Sequence, residues 1–216
     1  MGRRALRKVN PNLDLSFHFR TLEELPAPLD AETLFGRDAP LEVEMGSGKG
    51  LFLEQASGAH PERNFVGVEV ARKYARFAAA RLARRGRTNA VMVQGDGLRF
   101  FHEWLRDGSV DAVHVYFPDP WWKKRHRKRR VMKPEFLRDL QRVLKPRGEL
   151  HFWTDVEEYF HETLALLAEH TSFSGPFEVE ETLAEHELDY RTHFERRMRL
   201  HDKPVYRSRF QQAAGA

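Results

Sequence analysis

The sequence predicts an α/β fold in which helices cover both faces of a doubly wound, mostly parallel β-sheet. Three observations predict this class. Short apolar runs alternate with amphipathic segments from residue 41 onward. The run at 110–117 (VDAVHVYF) is almost continuously apolar, as parallel strands buried on both faces are. A glycine-rich turn links the first apolar run to the helix after it, and repeated strand–helix units of this kind build parallel sheets.

Seven strands are expected in this sheet. Five apolar runs predict its parallel part, and two later runs predict additional strands. The ranges are 41–45, 64–70, 90–94, 110–117, 149–153, 177–182 and 205–210. Ligands bind to such sheets outside the carboxyl ends of the strands, where the strand order reverses. The residues that follow each strand are therefore the candidates for a functional site.

Amphipathic segments between these runs predict the crossover helices. In the segment 71–85, one face contains Ala71, Tyr74, Ala75, Ala78 and Leu82, while most arginines lie elsewhere. Pro134 suits the first turn of another helix, because its missing N–H is not needed there. Further helices are expected from about residues 51, 100 and 155. Residues 1–40 contain four prolines and few periodic apolar positions, so we expect an extended or partly mobile basic arm ahead of a domain spanning 41–216.

Composition excludes several classes of protein. The 216 residues fit one α/β domain with a short extension. The sequence has no cysteine, which excludes a disulfide framework, a thiolate zinc site and a cysteine nucleophile, and suits a reducing cytoplasm. No apolar run approaches the roughly 18 residues that a bilayer requires, and the basic N-terminus lacks the apolar stretch of a secretory signal. We expect a cytoplasmic protein without a membrane segment or a metal site.

The strongest charge feature is the run at 123–130, KKRHRKRR, which contains seven cations and one histidine. The net charge of the whole chain is only +4, so the cations are concentrated here. A run of like charges repels itself and needs a polyanion or open solvent. Nucleic acid is the expected partner. A nuclear localisation signal has a similar composition, but the position of this run directly after a buried-type strand favours a place in a site.

The turn after the first strand is Glu44-Met-Gly46-Ser-Gly48-Lys-Gly50. Glycines at alternate positions let the backbone turn sharply and approach a ligand closely. The spacing is GxGxG, which differs from the GxGxxG pattern that holds a pyrophosphate. We expect Gly46 and Gly48 to line a cofactor site. The structural alternative is a tight strand–helix turn, which needs glycine whatever it binds.

Four carboxylates stand at four successive strand ends, and they are Glu44, Glu69, Asp96 and Asp119. Glu69 lies where a carboxylate can accept both hydroxyls of a ribose, and Asp96 is placed toward the adenine end of a nucleoside. An acidic rim disfavours a diphosphate and suits a sulfonium cation with an α-amino group. The set predicts an S-adenosylmethionine pocket, while each acid alone could cap a helix or lie on a solvated surface.

The stretch at 117–126, FPDPWWKKRH, combines an acid, two aromatics and several cations. Prolines flank Asp119 and restrict its neighbours to extended conformations, so the carboxylate is expected to be held rigidly. Either Trp121 or Trp122 could stack on a base or line the pocket. These groups are expected to meet where the transferred methyl group lies. The structural alternative is a solvated basic loop with buried tryptophans.

The string FPDPWWKKRHRKRR resembles the signature of the bacterial tRNA (guanine-N7)-methyltransferases, and the similarity extends from residue 41 to about residue 195. The resemblance implies a Rossmann-like class I fold that depends on S-adenosylmethionine. It implies that the four strand-end acids contact the cofactor and that Asp119 also serves the reaction. It further implies substrate-binding positions at Lys123, Asp155, Thr192, His193, Phe194 and Glu195.

Several of these substrate positions have a structural alternative. The segments 154–157 and 192–195 both have the spacing of a capping box, in which a hydroxyl and a carboxylate only close a helix end. The chain also departs from the family pattern in two places. Trp122 stands where the family commonly has proline, and the stretch after Glu195 matches the family loosely.

The expected function is transfer of a methyl group from S-adenosylmethionine to N7 of a guanine in the variable loop of tRNA. N7 carries a free lone pair at neutral pH, so no general base is needed, and Asp119 is expected to act through orientation and electrostatics. The alternatives are a methyltransferase for another RNA or a small molecule, an RNA-binding module on a methyltransferase-like scaffold, and an NAD-dependent dehydrogenase. The acidic rim disfavours the last. A monomer and a homodimer are both compatible with the sequence.

Overall fold

One mixed sheet forms the centre of the molecule. A computed structural model describes residues 6, 8–180 and 190–214, and eight strands lie in one sheet within these residues. They are β1 (Phe19–Thr21), β2 (Leu41–Met45), β3 (Asn64–Glu69), β4 (Ala90–Gln94), β5 (Val110–Tyr116), β6 (Leu144–Thr154), β7 (Ser174–Phe177) and β8 (Tyr206–Gln211). The predicted α/β class is confirmed, with eight strands in place of the expected seven.

The helices pack against this sheet through apolar faces. In α3, Ala75, Ala78 and Leu82 are fully buried while most of the arginines remain outside, as the periodicity predicted. The helices are α1 (Ala31–Phe35), α2 (Leu51–Ala59), α3 (Arg72–Arg84), α4 (Gly97–Arg99), α5 (Pro134–Val143), α6 (Glu157–His170) and α7 (His193–Arg199). Shorter turns occupy Leu22–Glu24, Phe100–Trp104 and Lys124–Arg129. In the part of the chain that the structure describes, no helix is long and apolar enough to cross a membrane.

The strand order places a crevice at the middle of the sheet. The order is β1-β4-β3-β2-β5-β6-β8-β7. Neighbours from β1 to β6 are parallel, whereas β8 runs antiparallel to both β6 and β7. The chain proceeds from β2 toward one edge and from β5 toward the other, so the order reverses between β2 and β5. The loops that follow these two strands therefore open into the crevice where doubly wound sheets bind ligands.

Apolar layers on the two faces fix the strands that carry this crevice. One layer contains Phe100, Phe101 and Phe136, each at most 1% exposed. Their rings meet edge to face, and the ring centroid of Phe101 lies 6.1 Å from that of Phe100 and 5.1 Å from that of Phe136. The other layer joins Phe52 and Phe65 to the alanines of α3. Truncation of one such phenylalanine to alanine typically costs about 3–5 kcal/mol, so both layers hold the strand ends in place.

The N-terminal region differs from the extended arm that the sequence predicted for residues 1–40. β1 pairs with β4 at the edge of the sheet, and Leu22, Leu25 and Leu29 are buried against the core. Pro26 and Pro28 interrupt this segment, so its burial depends on short turns that leave no clear periodic pattern. The arginines at positions 3, 4 and 7 lie outside the described residues.

The C-terminal strands confirm one prediction and correct another. β8 lies within one residue of the predicted range 205–210. The strand predicted at 177–182 lies earlier, at Ser174–Phe177, and residues 181 and 182 are outside the described part of the chain. The sequence did not indicate a strand here, because Gly175 and Pro176 are unfavourable inside a sheet. Proline is tolerated mainly in an edge strand, and β7 is the outermost strand of this sheet.

Candidate active site

The glycine-rich turn after β2 has left-handed backbone at three positions. Gly46, Gly48 and Gly50 have φ angles of +79°, +53° and +67°, which glycine adopts without steric cost. A Cβ at Gly50 would lie 2.6 Å from the Cβ of Ala78, so glycine there lets α2 approach α3. A Cβ at Gly46 or Gly48 would meet no atom of the described residues within 4 Å. These two positions therefore border open space at the reversal of strand order.

Glu44 is buried at the end of β2, beside this turn. The residue is 3% exposed, and its Oε2 has no hydrogen-bond partner among the described residues. Burial raises the pKa of Glu44 to about 8, a hydrogen bond with Ser47 opposes the rise, and the Glu69 carboxylate adds to it. A buried oxygen without a partner is unfavourable. It suits a positively charged donor supplied from outside the chain.

We expect Glu44 to make the folded protein less stable as the pH rises, when no cofactor is bound. The unfolded chain releases this proton near pH 4.5, whereas the folded protein retains it up to about pH 8. Between these values the folded state binds more protons, so the free energy of unfolding falls as the pH increases. Urea unfolding of the parent protein and Glu44→Gln at pH 5 and pH 8 isolates this contribution. If the difference between the two proteins were independent of pH, Glu44 would not be buried as a neutral acid.

Glu69 and Asp96 stand at the ends of the next two strands and contact backbone amides. Glu69 Oε2 accepts a hydrogen bond from the N–H of Gly48 at 2.9 Å, and its Oε1 accepts one from the N–H of Ala71 at 2.8 Å. It thereby ties the glycine-rich turn to the start of α3. Asp96 is exposed, and its Oδ1 accepts from the N–H of Leu98 at 2.8 Å. The helix cap that the sequence left as an alternative is therefore present at Asp96, and its Oδ2 has no partner among the described residues.

The loop after β5 bends sharply on either side of Asp119. Phe117 and Trp121 have φ angles of +49° and +47°, left-handed conformations that cost a bulky residue roughly 1–3 kcal/mol each. Asp119 is exposed, and its carboxylate forms no hydrogen bond or ion pair with any residue that the structure describes. Backbone strain of this kind persists where the surroundings fix a conformation, and functional sites are common among such places.

Arg130, the last cation of the basic run, anchors this loop to α6. The residue is 3% exposed, and its Nε donates a hydrogen bond to the carbonyl of Pro120 at 2.8 Å. Its Nη1 pairs with Glu162, and its guanidinium lies 4.5 Å from the ring centroid of Tyr159. Arg130 therefore neither faces solvent nor extends toward a partner. Sequence reasoning, which treated the run as one basic segment, missed this role.

The remaining cations of the run divide into a second anchor and an exposed group. Arg127 pairs with Glu158 at 2.6 Å, one turn of α6 before Glu162. Each pair, the two arginines and the two glutamates, is separated by about one helical turn, and this spacing is the sequence signal for the attachment. The exposed cations, which form no ion pair with a described acid, are Lys123, Lys124, Arg125, Lys128 and Arg129.

The two tryptophans of the loop occupy different environments. Trp121 is partly buried. The Arg129 guanidinium lies 4.9 Å from its ring centroid, and the His126 ring meets it edge to face with the centroids 5.9 Å apart. Trp122 is 66% exposed, and no described aromatic ring or cation lies against it. The alternative of two buried tryptophans is therefore wrong for Trp122.

The 192–195 segment begins α7 and forms a helix cap. Thr192 Oγ1 accepts a hydrogen bond from the N–H of Glu195 at 2.9 Å, as the capping alternative predicted. Glu195 is 3% exposed, and its Oε2 accepts from the N–H of Arg191 at 2.7 Å. The Thr192 hydroxyl and the Glu195 carboxylate therefore hold the start of the helix. Any contact that these two residues make with a substrate has to coexist with that cap.

The other two residues of this segment lie beside the predicted site. The Phe194 ring centroid is 4.9 Å from that of Phe117, which places α7 against the loop after β5. His193 Nε2 accepts a hydrogen bond from Arg81 of α3 at 2.8 Å. Partial burial lowers the pKa of His193 to about 4, and the cations of Arg81 and Lys49 contribute. A neutral His193 thus joins α7 to α3.

Asp155 follows β6 and does not cap α6. The helix begins at Glu157, and Val156 before it provides no side-chain cap. Thr154 Oγ1 accepts from the N–H of Val156 at 3.2 Å instead, so the capping-box alternative for 154–157 is wrong. Asp155 is partly buried, and burial raises the pKa of its carboxyl, while Arg197 opposes the rise. Asp155 and Asp119 follow β6 and β5, which are parallel neighbours, so the two residues lie at the same end of the strands.

Comparisons with known proteins show which proteins this chain is similar to. Residues 38–208 match a family model described as a putative methyltransferase. A tRNA (guanine-N(7)-)-methyltransferase of Rhodopirellula baltica is 53% identical over 213 residues, which cover 96% of this chain and 79% of that protein. A protein of the same name from Cupriavidus necator is 37% identical over 196 residues, 90% of this chain and 72% of that one. A solved SAM-dependent O-methyltransferase from Thermotoga maritima shares the fold, with a TM-score of 0.54 at 16% identity over 86% of this chain and 64% of its own.

Proposed function

We propose how this site works from the premise that the chain belongs to the family of tRNA (guanine-N7)-methyltransferases. It transfers a methyl group from S-adenosylmethionine to N7 of a guanine in tRNA. The family, cofactor and reaction expected from the sequence are thereby confirmed. The observation that carries our assignment of the site is the meeting of three features at the reversal of strand order. These are the open turn at Gly46 and Gly48, the Glu44 oxygen and the Asp119 carboxylate, the last two of which have no partner among the described residues.

The residues at this crevice fit S-adenosylmethionine. The unpaired, buried oxygen of Glu44 suits its ammonium group, and the open space at Gly46 and Gly48 allows close approach to the backbone. Glu69 would hold the ribose, and Asp96, with one free oxygen, would serve the adenine end. When bound, the cofactor supplies a methyl group made electrophilic by its sulfonium. The acidic rim complements that positive charge.

The chain's own contribution to the reaction is orientation and electrostatics. N7 of guanine has a free lone pair at neutral pH, so no proton has to be removed before it attacks. Holding N7 about 3 Å from its target, in line, accounts for a large part of such a rate enhancement. Methylation leaves positive charge on the purine, and the fixed carboxylate of Asp119 would stabilise it. Lys123, Asp155 and the 192–195 segment would orient the guanine from both sides of that carboxylate.

The target guanine has to present its N7 edge outside a regular helix. In A-form RNA this edge lies in a groove too deep and narrow for side chains. A loop or distorted junction is therefore required, and the variable loop of tRNA meets this requirement. The exposed cations after Asp119 would contact the phosphates on either side of the target. The absence of cysteine and a tRNA substrate favour the cytoplasm as the place of action.

We expect the affinity for tRNA to decrease steeply with salt. If each of the five exposed cations of the basic run neutralises one phosphate, the slope of log K against log salt concentration is about −3.5 to −4.5. Filter binding between 50 and 200 mM KCl would measure this slope. Lys124→Ala should reduce the magnitude of this slope by about one. Arg106→Ala should leave it unchanged, because Arg106 is an exposed cation that precedes β5, at the opposite end of the strand from Asp119. A flat salt response would contradict phosphate binding by this loop.

The decisive experiment is methyl transfer from labelled S-adenosylmethionine to an unmodified tRNA transcript, followed by nucleoside analysis. The expected product is 7-methylguanosine. A matched transcript with adenine in place of the variable-loop guanine should accept no label. Label that persists in this transcript would place the target elsewhere in tRNA. Cofactor binding without methylation of any tRNA would overturn the assignment of substrate.

A further inference from the structure

Trp122 is an exposed indole on a loop that is otherwise firmly attached. It is 66% exposed, whereas Trp104 and Trp153 are 7% and 4% exposed. A large apolar ring left in water forgoes the favourable burial that tryptophan usually obtains. Such a residue at the mouth of a site commonly marks a binding surface.

The backbone around Trp122 fixes the direction of this ring. The left-handed conformation of Trp121 turns the chain between the two indoles. Arg129 and His126 hold the ring of Trp121 on the protein, and Arg130 holds the carbonyl of Pro120 just before it. Trp122 therefore projects into solvent from a short, doubly anchored segment. A ring presented in this way loses little conformational entropy when it binds a partner.

The charges around Trp122 select the kind of partner. It is followed directly by Lys123, Lys124 and Arg125, which are exposed and form no ion pair with a described acid. An apolar protein surface would leave these cations poorly solvated. A second copy of this chain related by a two-fold axis would set the same cations against each other. A nucleic acid supplies both a flat aromatic face for the indole and phosphates for the cations.

We propose that Trp122 is a stacking platform for an unstacked base of the tRNA, an inference that rests on the proposed function. Trp122 is three residues from Asp119, so their backbones are at most about 10 Å apart. The base is therefore the target guanine or a nucleotide close to it. Stacking of one base on an aromatic side chain is typically worth a factor of roughly 5 to 150 in affinity. It also supports extrusion of the target from a regular stack.

The salt dependence of tRNA binding distinguishes stacking from charge contacts. Stacking releases no counterions, so Trp122→Ala should weaken binding by roughly 5- to 150-fold at every salt concentration without changing the slope. Trp122→Phe, which keeps an aromatic face, should retain most of the affinity. Lys124→Ala serves as the matched control from the same loop, since it should change the slope instead. Because Trp122 is exposed, all three variants should melt within a few degrees of the parent protein.

The outcomes separate this inference from the proposed function. A parent protein that neither binds nor methylates tRNA would overturn both. The stacking role alone would be overturned if the parent protein bound tRNA with a steep salt slope and Trp122→Ala bound it with equal affinity. A reduced slope in Trp122→Ala would show that the residue acts by positioning cations. Altered sedimentation with unchanged tRNA binding would assign Trp122 to contacts between copies of the chain.

Discussion

Asp119→Asn is expected to lower the rate of methyl transfer to tRNA by roughly 10²- to 10³-fold, the usual effect of removing one preorganised electrostatic contact to a transition state. The substitution keeps the size of the side chain and removes its charge. The purine then gains positive charge without a compensating carboxylate. Single-turnover transfer to saturating tRNA measures this step without interference from product release.

The same variant should remain folded. Asp119 is exposed and forms no hydrogen bond or ion pair with other described residues, so its replacement should change the free energy of unfolding by no more than about 0.5 kcal/mol. Asp38→Asn is the matched control, because Asp38 is also exposed but precedes β2 at the opposite end of the strands. A near-normal single-turnover rate in Asp119→Asn would remove this residue from the reaction.

Arg130→Met should impair both stability and catalysis, although Arg130 is buried. Methionine keeps part of the aliphatic volume but leaves the Pro120 carbonyl without its donor and Glu162 without its cation. Removal of one partner from a buried ion pair typically costs about 3–5 kcal/mol, and the partial exposure of Glu162 points to the lower end. The released loop should misplace Asp119, and a 1 Å misplacement can lower the rate by about 10²-fold.

Arg127→Met provides the comparison for this prediction. Arg127 makes the same kind of ion pair one turn away, but with the more exposed Glu158, and exposed pairs are worth about 0–1 kcal/mol. Thermal unfolding and single-turnover transfer of both variants test the difference. If Arg127→Met and Arg130→Met behaved alike, the burial of Arg130 would not be what positions the loop.

The parallel core could be predicted closely because burial on both faces produces uninterrupted apolar runs. β2 and β4 coincide with their predicted ranges, and β3 and β5 differ by one residue. β1 could not be predicted, since three residues of partly buried strand carry no periodic signal and depend on β4 for their pairing. β6 begins before its predicted range because an irregular turn at 145–148 continues into the strand.

The sequence also places the candidate site at the strand ends, but it does not give the state of the side chains there. The topology alone brings the strand-end acids together at the carboxyl ends of the parallel strands. Only the folded structure shows that Glu69 is engaged by backbone amides, while Glu44 keeps an orphaned oxygen. Likewise, Lys124 and Arg130 belong to one run of cations in the sequence. Their environments differ because α6 places Glu162 beside Arg130, a contact between residues distant in the chain.

The position of β8 has a consequence for biosynthesis. β8 is translated after β6 and β7, yet it lies between them and supplies the pairing partner of both. Until residues 206–211 have left the ribosome, a nascent chain therefore presents unpaired strand edges at this end of the sheet, and open edges favour aggregation. The pairings among β2, β3, β4 and β5 need no later segment, although β5 gains its second neighbour only with β6. Folding during translation can consequently begin at the crevice that we propose for the cofactor, with the strands β6 to β8 completed last.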